Sequence, residues 1–223
     1  MITSAHNPRL RLVRRLHGRR QRERLGLFGC EGEDLVQAAL VAGLEPVEVL
    51  VDAERPPELR GLGGAEQVDP KLLAEVSALG HPPRVLGIFR KADLPRLRAE
   101  TAPPVGLGLW HVGDPGNIGT LLRTADGLGP AFVTLSGGSA DVTSPKALRA
   151  SAGSVFRVPV GLFDESPAPR VALVVHGGIP LPELQLGERA TFMLGAEREE
   201  PLPGLGGRLR LPRLNGVRCL LAR

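Results

Sequence analysis

An apolar run from Val105 to Val112 leads into Asp114-Pro115-Gly116-Asn117, and behind it Ile118, Leu121, Leu122 and Ala125 recur at helical spacing. A strand, a tight turn and an amphipathic helix in this order constrain the fold more than any other feature. The unit buries its apolar stripe only if the helix packs back onto a sheet. Pro115 and Gly116 form a turn pair. Asn117 can accept an orphan backbone N–H, which predicts it as the helix N-cap. Arg123 falls outside the stripe, about a turn and a half beyond Asn117. An amide and a cation are therefore expected toward the C-terminal edge of an α/β sheet, where such folds bind ligands.

The same alternation runs through the chain. Pro8 to Arg24 reads as a basic helix with Leu10, Val13 and Leu16 on one side. Phe28–Glu31 is a short apolar stretch ending at Gly32, and Asp34–Ala42 is a helix stopped by Gly43. Pro46–Val51 and Val85–Phe89 read as strands. Asp69 and Pro70 start a helix over Lys71–Leu79, with proline at its first position. Pro95, Pro103 and Pro104 stand among charges and mark a break. We expect a first domain over 1–95, a linker over 96–104 and a second domain over 105–223. In the second, strands are expected at Val105–Val112, Ala131–Leu135, Val155–Pro159, Val171–His176 and Thr191–Leu194, with helices from Asn117 and Pro145. Continuous apolar strands of this kind suit a parallel sheet buried on both faces.

Charge divides the chain unequally. Residues 1–24 carry eight arginines against Glu23, a net of +7, although the whole chain is only +4. An arm of this composition fits a phosphate backbone, because the planar fork of arginine matches phosphate oxygens. Arg14, Arg15, Arg19 and Arg20 are its candidate contacts. Aromatic residues make up 3% with no tyrosine, so recognition by shape and backbone is expected rather than base stacking. No apolar run reaches the roughly 20 residues of a membrane helix, and Met1-Ile2-Thr3-Ser4 lacks a signal-peptide pattern. Cys30 and Cys219 are distant thiols that suit a reducing, cytoplasmic location. No Cys/His cluster has metal-ligand spacing, so no metal is expected. No G-x-G-x-x-G follows a first strand, which weighs against a doubly wound dinucleotide-binding enzyme.

A second string, Ser144-Pro145-Lys146-Ala147-Leu148-Arg149-Ala150-Ser151-Ala152-Gly153, follows downstream. Together, Asn117, Gly119, Arg123 and this string resemble the SpoU family of RNA ribose 2′-O-methyltransferases, within the SPOUT (trefoil-knot) superfamily. Phe28, Glu31, Gly32 and Val36 resemble the F-x-x-E-G-x-x-x-V start of its small substrate-binding domain. The resemblance implies an α/β fold: a small N-terminal RNA-binding domain and a C-terminal SPOUT-type domain with a mostly parallel sheet and a trefoil knot. It also implies S-adenosyl-methionine as cofactor, a homodimer, and ribosomal or transfer RNA as partner.

The site residues carried by this resemblance are Arg123, Asn117 and Glu197 for catalysis. Leu194, Gly195, Ala196, Leu211 and Leu220 are implied for the cofactor, and Lys146 and Arg149 for RNA. A guanidinium is effectively never deprotonated. Arg123 is therefore expected to grip phosphate and stabilise charge on the ribose oxygen rather than act as a base. Asn117 would fix the loop, and Glu197 would order nearby backbone.

Two departures stand out. Glu197 is followed by Arg198, Glu199, Glu200 and Pro201 where the family has glycines. In the last motif Cys219 stands for serine and Leu221 for asparagine, and the family's long final helix does not follow. These imply an incomplete knot, looser cofactor binding and a weakened dimer. The alternative function is an RNA-binding protein that keeps the methyltransferase fold without turnover.

Overall fold

The computed structural model describes residues 1–59, 63–79, 81–174, 179–180, 183–195, 200–201, 208–209 and 218–222, with backbone alone at 174 and from 200 onward. They form two compact units, 1–94 with 141–157 and 95–140 with 158–223. The segment 141–157 thus packs with the first unit and not, as expected, with the second.

The first unit contains α1 (Pro8–Leu16), α2 (Arg19–Leu25), β1 (Leu27–Glu31), α3 (Glu33–Val41), β2 (Glu48–Asp52), β3 (Glu66–Val68), α4 (Pro70–Val76), β4 (Val85–Arg90) and, in chain order after the second unit has begun, α6 (Pro145–Ser151). Its sheet has the order β1-β4-β2-β3, antiparallel except for the parallel pair β2–β3. One core joins Leu10, Val13 and Leu16 of α1 to Leu73 and Val76 of α4 over Leu50, Leu86 and Ile88. Phe28 and Phe89 stack at 5.9 Å between ring centroids, and Phe156 packs on Phe28 at 6.3 Å. Alternation along β4 separates these faces: Leu86 and Ile88 join the helical core, and a Cβ at Gly87 would meet Phe89 and Val36 of α3.

The expected single helix over 8–24 is two helices. Arg22 is buried, and its Nη1 donates to the carbonyls of Leu16 (2.8 Å) and His17 (2.7 Å). A continuous helix would commit those carbonyls to backbone N–H groups. Instead the chain breaks at Gly18, and a side chain satisfies the orphaned end of α1. Arg22 Nε also donates to Asp141 Oδ2 at 2.9 Å. Burial opposes ionisation of Asp141. The N–H and hydroxyl of Thr143 and the charges of Lys91 and Arg22 outweigh it and hold the carboxyl below its ordinary value.

Helix α4 also ends earlier than expected, at Val76. The hydroxyl of Ser77 and the N–H of Ala78 are taken by the Glu31 carboxylate, which draws the chain off the helical path. The expected strand over 155–159 is a buried 3-10 turn over Ser154–Phe156, and the strand begins only at Val160. Gly153, at φ +84°, makes this turn, and a Cβ there would lie 2.6 Å from Ala38 Cβ. Only glycine satisfies both conditions. A short apolar run reads alike as strand or buried turn.

The second unit contains β5 (Val105–Trp110), α5 (Pro115–Leu128), β6 (Ala131–Leu135), β7 (Val160–Leu162), β8 (Arg170–Val174), β9 (Ile179–Pro180), β10 (Ala190–Gly195), β11 (Glu200–Pro201), β12 (Arg208–Leu209) and β13 (Arg218–Ala222). The large sheet has the order β7-β6-β5-β10-β8-β13-β9. The strands from β7 to β8 are parallel, and β13 runs antiparallel to β8 and β9. The linker joins the sheet edge, where Leu97 N–H donates to Val160 O and Val160 N–H to Pro95 O, each at 3.0 Å. The expected knot runs through segments largely outside the described residues, as do residues 175 and 176 of the expected strand at Val171–His176.

Helix α5 starts before Asn117. Asp114 is its N-cap and accepts from the N–H groups of Gly116 and Asn117, with Pro115 at the first helical position. Proline needs no N–H partner there, so the helix begins at Pro115 and Asn117 is its third residue. Ile118, Gly119, Leu122 and Ala125 are buried against the sheet.

Asp141→Ala leaves Arg22 buried without its counter-charge and lowers unfolding stability by about 3–5 kcal/mol in chemical denaturation. Because the folded pKa of Asp141 is depressed, its stabilisation is complete above the ordinary value of 3.8 and is lost as pH falls through the lower folded value. Asp141→Asn removes that acid limb. Asp114→Ala costs about 1 kcal/mol and Asn117→Ala less; the reverse order would return the cap to Asn117.

Candidate functional site

Strand β5 lies between β6 and β10, and its last residue, Trp110, is in register with Gly195, the last residue of β10. Both strands are parallel, so their C-terminal ends lie on one edge, the edge at which open α/β sheets hold ligands. Helix α5 rises from this edge. Asn117, in its first turn, is partly buried. Arg123 lies six residues on, roughly 9 Å along the axis; it is exposed and has no hydrogen-bond or ion-pair partner among the described residues. Leu194 is buried in register with Leu109, and Gly195 is buried beside it. Asn117, Leu194 and Gly195 thus all lie toward the C-terminal edge of the sheet.

Several predicted residues are not placed there. Ala196, Glu197 and Leu211 lie outside the described residues. Leu220 is described as backbone, in register with Ala172 of β8. Arg14, Arg15, Arg19 and Arg20 are exposed on α1 and α2. Arg14 lies 3.8 Å from Glu75, Arg15 reaches Gln21 at 3.4 Å and Arg19 reaches Glu23 at 2.7 Å. Exposed pairs of this kind are weak and give way readily to phosphate. Arg22, part of the same charge run, is withdrawn into the fold.

Lys146 and Arg149 are exposed on α6, within the first unit. Arg149 lines a cleft of about 670 Å³ that also holds Arg55 and Arg84. Arg55 is paired to Asp52 at 2.9 Å and Arg84 to Glu33 at 2.6 Å. Arg149 has no such partner among the described residues. Those residues contain no His, Cys, Asp and Glu cluster able to hold a metal, and no described helix is long and apolar enough to cross a membrane.

Sequence reasoning missed the residues that shape the strand end itself. The Trp110 indole stacks on the His111 imidazole at 4.4 Å and 9° between planes, and meets Phe163 at 5.0 Å and 56°. His111 has φ +52°, a left-handed conformation uncommon outside glycine. Its N–H donates to Ser136 Oγ at 2.8 Å, and Ser136 N–H donates to Leu109 O at 3.0 Å. Ser139 Oγ donates to the same carbonyl at 3.3 Å. Hydroxyls after β6 therefore tie down the exit from β5. The one legible signal is that the chain's single tryptophan closes an apolar strand.

The SpoU rRNA Methylase family matches residues 104–200, and the MRM3-like substrate binding domain matches residues 7–87. The chain is 30% identical over 207 residues to the 23S rRNA (guanosine(2553)-2′-O)-methyltransferase RlmP of Bacillus subtilis, covering 88% of this chain and 82% of that protein. It is 33% identical over 153 residues to the mitochondrial rRNA methyltransferase 3 of Homo sapiens, which is 62% of this chain but 36% of that longer protein. The AdoMet-bound rRNA methyltransferase of Sinorhizobium meliloti superposes with a TM-score of 0.74 at 25% identity, over 88% of this chain and 81% of that one. A strand–turn–helix at the sheet edge, a paired strand ending in glycine and whole-length similarity to such enzymes lead to one assignment: the chain belongs to the SpoU rRNA methylase family.

Proposed function

We propose that this protein transfers the methyl group of S-adenosyl-methionine to a ribose 2′-hydroxyl in structured RNA, with ribosomal RNA as the class the relatives' names support. The observation that carries this reading is the shared sheet edge: the Asn117-bearing start of α5 and the glycine end of β10 flank one strand terminus in a chain of this family.

The described residues fit such a cofactor in one respect. Trp110 Nε1 is a buried donor without a hydrogen-bond partner at the strand end opposite Gly195. When bound, the cofactor supplies an electrophilic methyl on a sulfonium. The transfer would join that carbon to the 2′-oxygen as the carbon–sulfur bond breaks, leaving S-adenosyl-homocysteine, and the hydroxyl proton would pass to solvent. The exposed guanidinium of Arg123 holds a backbone phosphate of the RNA and stabilises negative charge developing on the ribose oxygen. It does not take the proton. Asn117 would order the turn through which that oxygen approaches, and Glu197 would order nearby backbone. Leu194, Gly195, Ala196, Leu211 and Leu220 would hold the cofactor.

The first unit holds the RNA. Arg14, Arg15, Arg19 and Arg20 supply phosphate contacts, joined by Lys146 and Arg149 of α6. The match of residues 7–87 to a substrate binding domain supports this role. A homodimer belongs to the same reading, supported by Leu128 and Leu162, exposed at 82% and 66% on the second unit. So does a cytoplasmic location, supported by Cys30, a free thiol buried in β1.

Transfer of labelled methyl to ribosomal RNA, followed by mapping of 2′-O-methyl positions, tests the proposal; RNA binding without cofactor binding or turnover would leave only the non-catalytic alternative. Arg123→Ala lowers the transfer rate by about 100-fold or more, as expected for loss of a charge-stabilising donor, while cofactor affinity and melting temperature hold. Reversing the charge of Arg14, Arg15, Arg19 and Arg20 weakens RNA binding. It also makes the slope of log affinity against log salt shallower by about 3. An unchanged slope would remove the arm from the interface.

A further inference from the structure

Along β5, Gly106, Gly108 and Trp110 share one face of the sheet. A Cβ at Gly106 would lie 2.1 Å from the Phe132 ring, and one at Gly108 would lie 2.5 Å from Met193 Sδ. Neighbouring side chains therefore cover this face at the first two positions. Trp110 is the first residue to put its own side chain there, and it does so where the strand stops.

Packing explains the indole ring. Phe163 meets it on a tilt, and His111 lies parallel to it. The imidazole is held in turn, since a Cβ at Gly138 would come within 2.7 Å of His111 Cδ2. Packing does not explain the N–H. Trp110 Nε1 is the one buried side-chain nitrogen or oxygen without a hydrogen-bond partner among the described residues. Buried donors are normally satisfied, and leaving one unpaired costs free energy that a phenyl ring would not. The donor is also fixed in place, because the backbone that carries it is tied through His111 N–H to Ser136 and through Leu109 O to Ser136 and Ser139.

We infer that Trp110 is a cofactor contact: its indole N–H donates to an acceptor atom of bound S-adenosyl-methionine. The inference rests on the function proposed above, and it adds a residue that neither the family motifs nor the sequence reading singled out. The position agrees with it, because Trp110 stands in register with Gly195 at the C-terminal edge. An adenine nitrogen, a ribose oxygen or the carboxylate of the cofactor offers the same acceptor chemistry.

Trp110 is the only tryptophan in the chain, so its emission reports this site alone. The unaltered protein is titrated with S-adenosyl-methionine by fluorescence and by calorimetry in parallel. Emission is expected to shift with the same dissociation constant that calorimetry gives. Titration with 5′-methylthioadenosine, which lacks the amino-acid half, separates the acceptors: a shift assigns the nucleoside half, and no shift assigns the carboxylate end. Trp110→Phe keeps an aromatic ring against Phe163 and His111 but removes the donor. Its dissociation constant for S-adenosyl-methionine is expected to rise about fivefold to tenfold, with RNA affinity unchanged.

Calorimetric binding without an emission change overturns the inference and leaves the proposed function standing. Equal affinity of Trp110→Phe and the unaltered protein does the same, whatever happens to the melting temperature. Absence of cofactor binding by the unaltered protein overturns both. Should Trp110→Phe fail to fold, the titration of the unaltered protein decides alone.

Discussion

A buried guanidinium and a buried carboxylate hold together a unit that the chain leaves and later re-enters. Arg22 and Asp141 have side chains only 3% and 6% exposed, a costly arrangement unless every polar group finds a partner. Here they do: Arg22 spends its other contacts on the end of α1, and Asp141 spends its own on Thr143 and Lys91. This anchors the start of the returning segment 141–157. The rest of that segment completes the second face of the small sheet, with Gly153 against Ala38 and Phe156 against Phe28. A pair so fully hydrogen-bonded specifies a position rather than merely adding attraction.

The large sheet works by a different constraint. Parallel pairing of β10 beside β5 puts their ends on one edge, and α5 leaves from that edge because Asp114 and Pro115 start it there. Backbone geometry thus supplies the position and few side chains supply the chemistry. Arg123 on its exposed turn is suited to charge rather than proton transfer, since its own proton never leaves. On the other unit, α1 buries Leu10, Val13 and Leu16 and leaves Arg14 and Arg15 to solvent.

Much of this was legible in the residues. The stripe of Leu10, Val13 and Leu16, the cap at Asp69, the helix from Pro145 and the apolar strands of the large sheet follow from spacing and turn chemistry. The motif around Asn117 and Arg123 pointed to the family because both residue type and order were specific. The illegible parts are those decided by tertiary partners. Nothing local says that Arg22 will break a helix to reach Asp141, more than a hundred residues later. Asn117 and Asp114 are both good caps, and the choice fell to the proline between them. Val155, Phe156 and Val158 carry the same apolar signal in a turn as in a strand. His111 in a left-handed conformation depends on serine hydroxyls after β6, which no local pattern announces.

The discontinuity of the first unit has a consequence for how the protein is made. During synthesis, residues 1–94 emerge with both layers of α1, α2 and the small sheet complete in sequence, yet Arg22 lacks its counter-charge until Asp141 has been added. The nascent first unit therefore waits, with Phe28 uncovered by Phe156, while the opening strands of the second are produced. Long-range closure of this kind raises contact order and slows folding. It makes completion of the amino-terminal half a late event rather than an early one, coupled to translation of the half that follows.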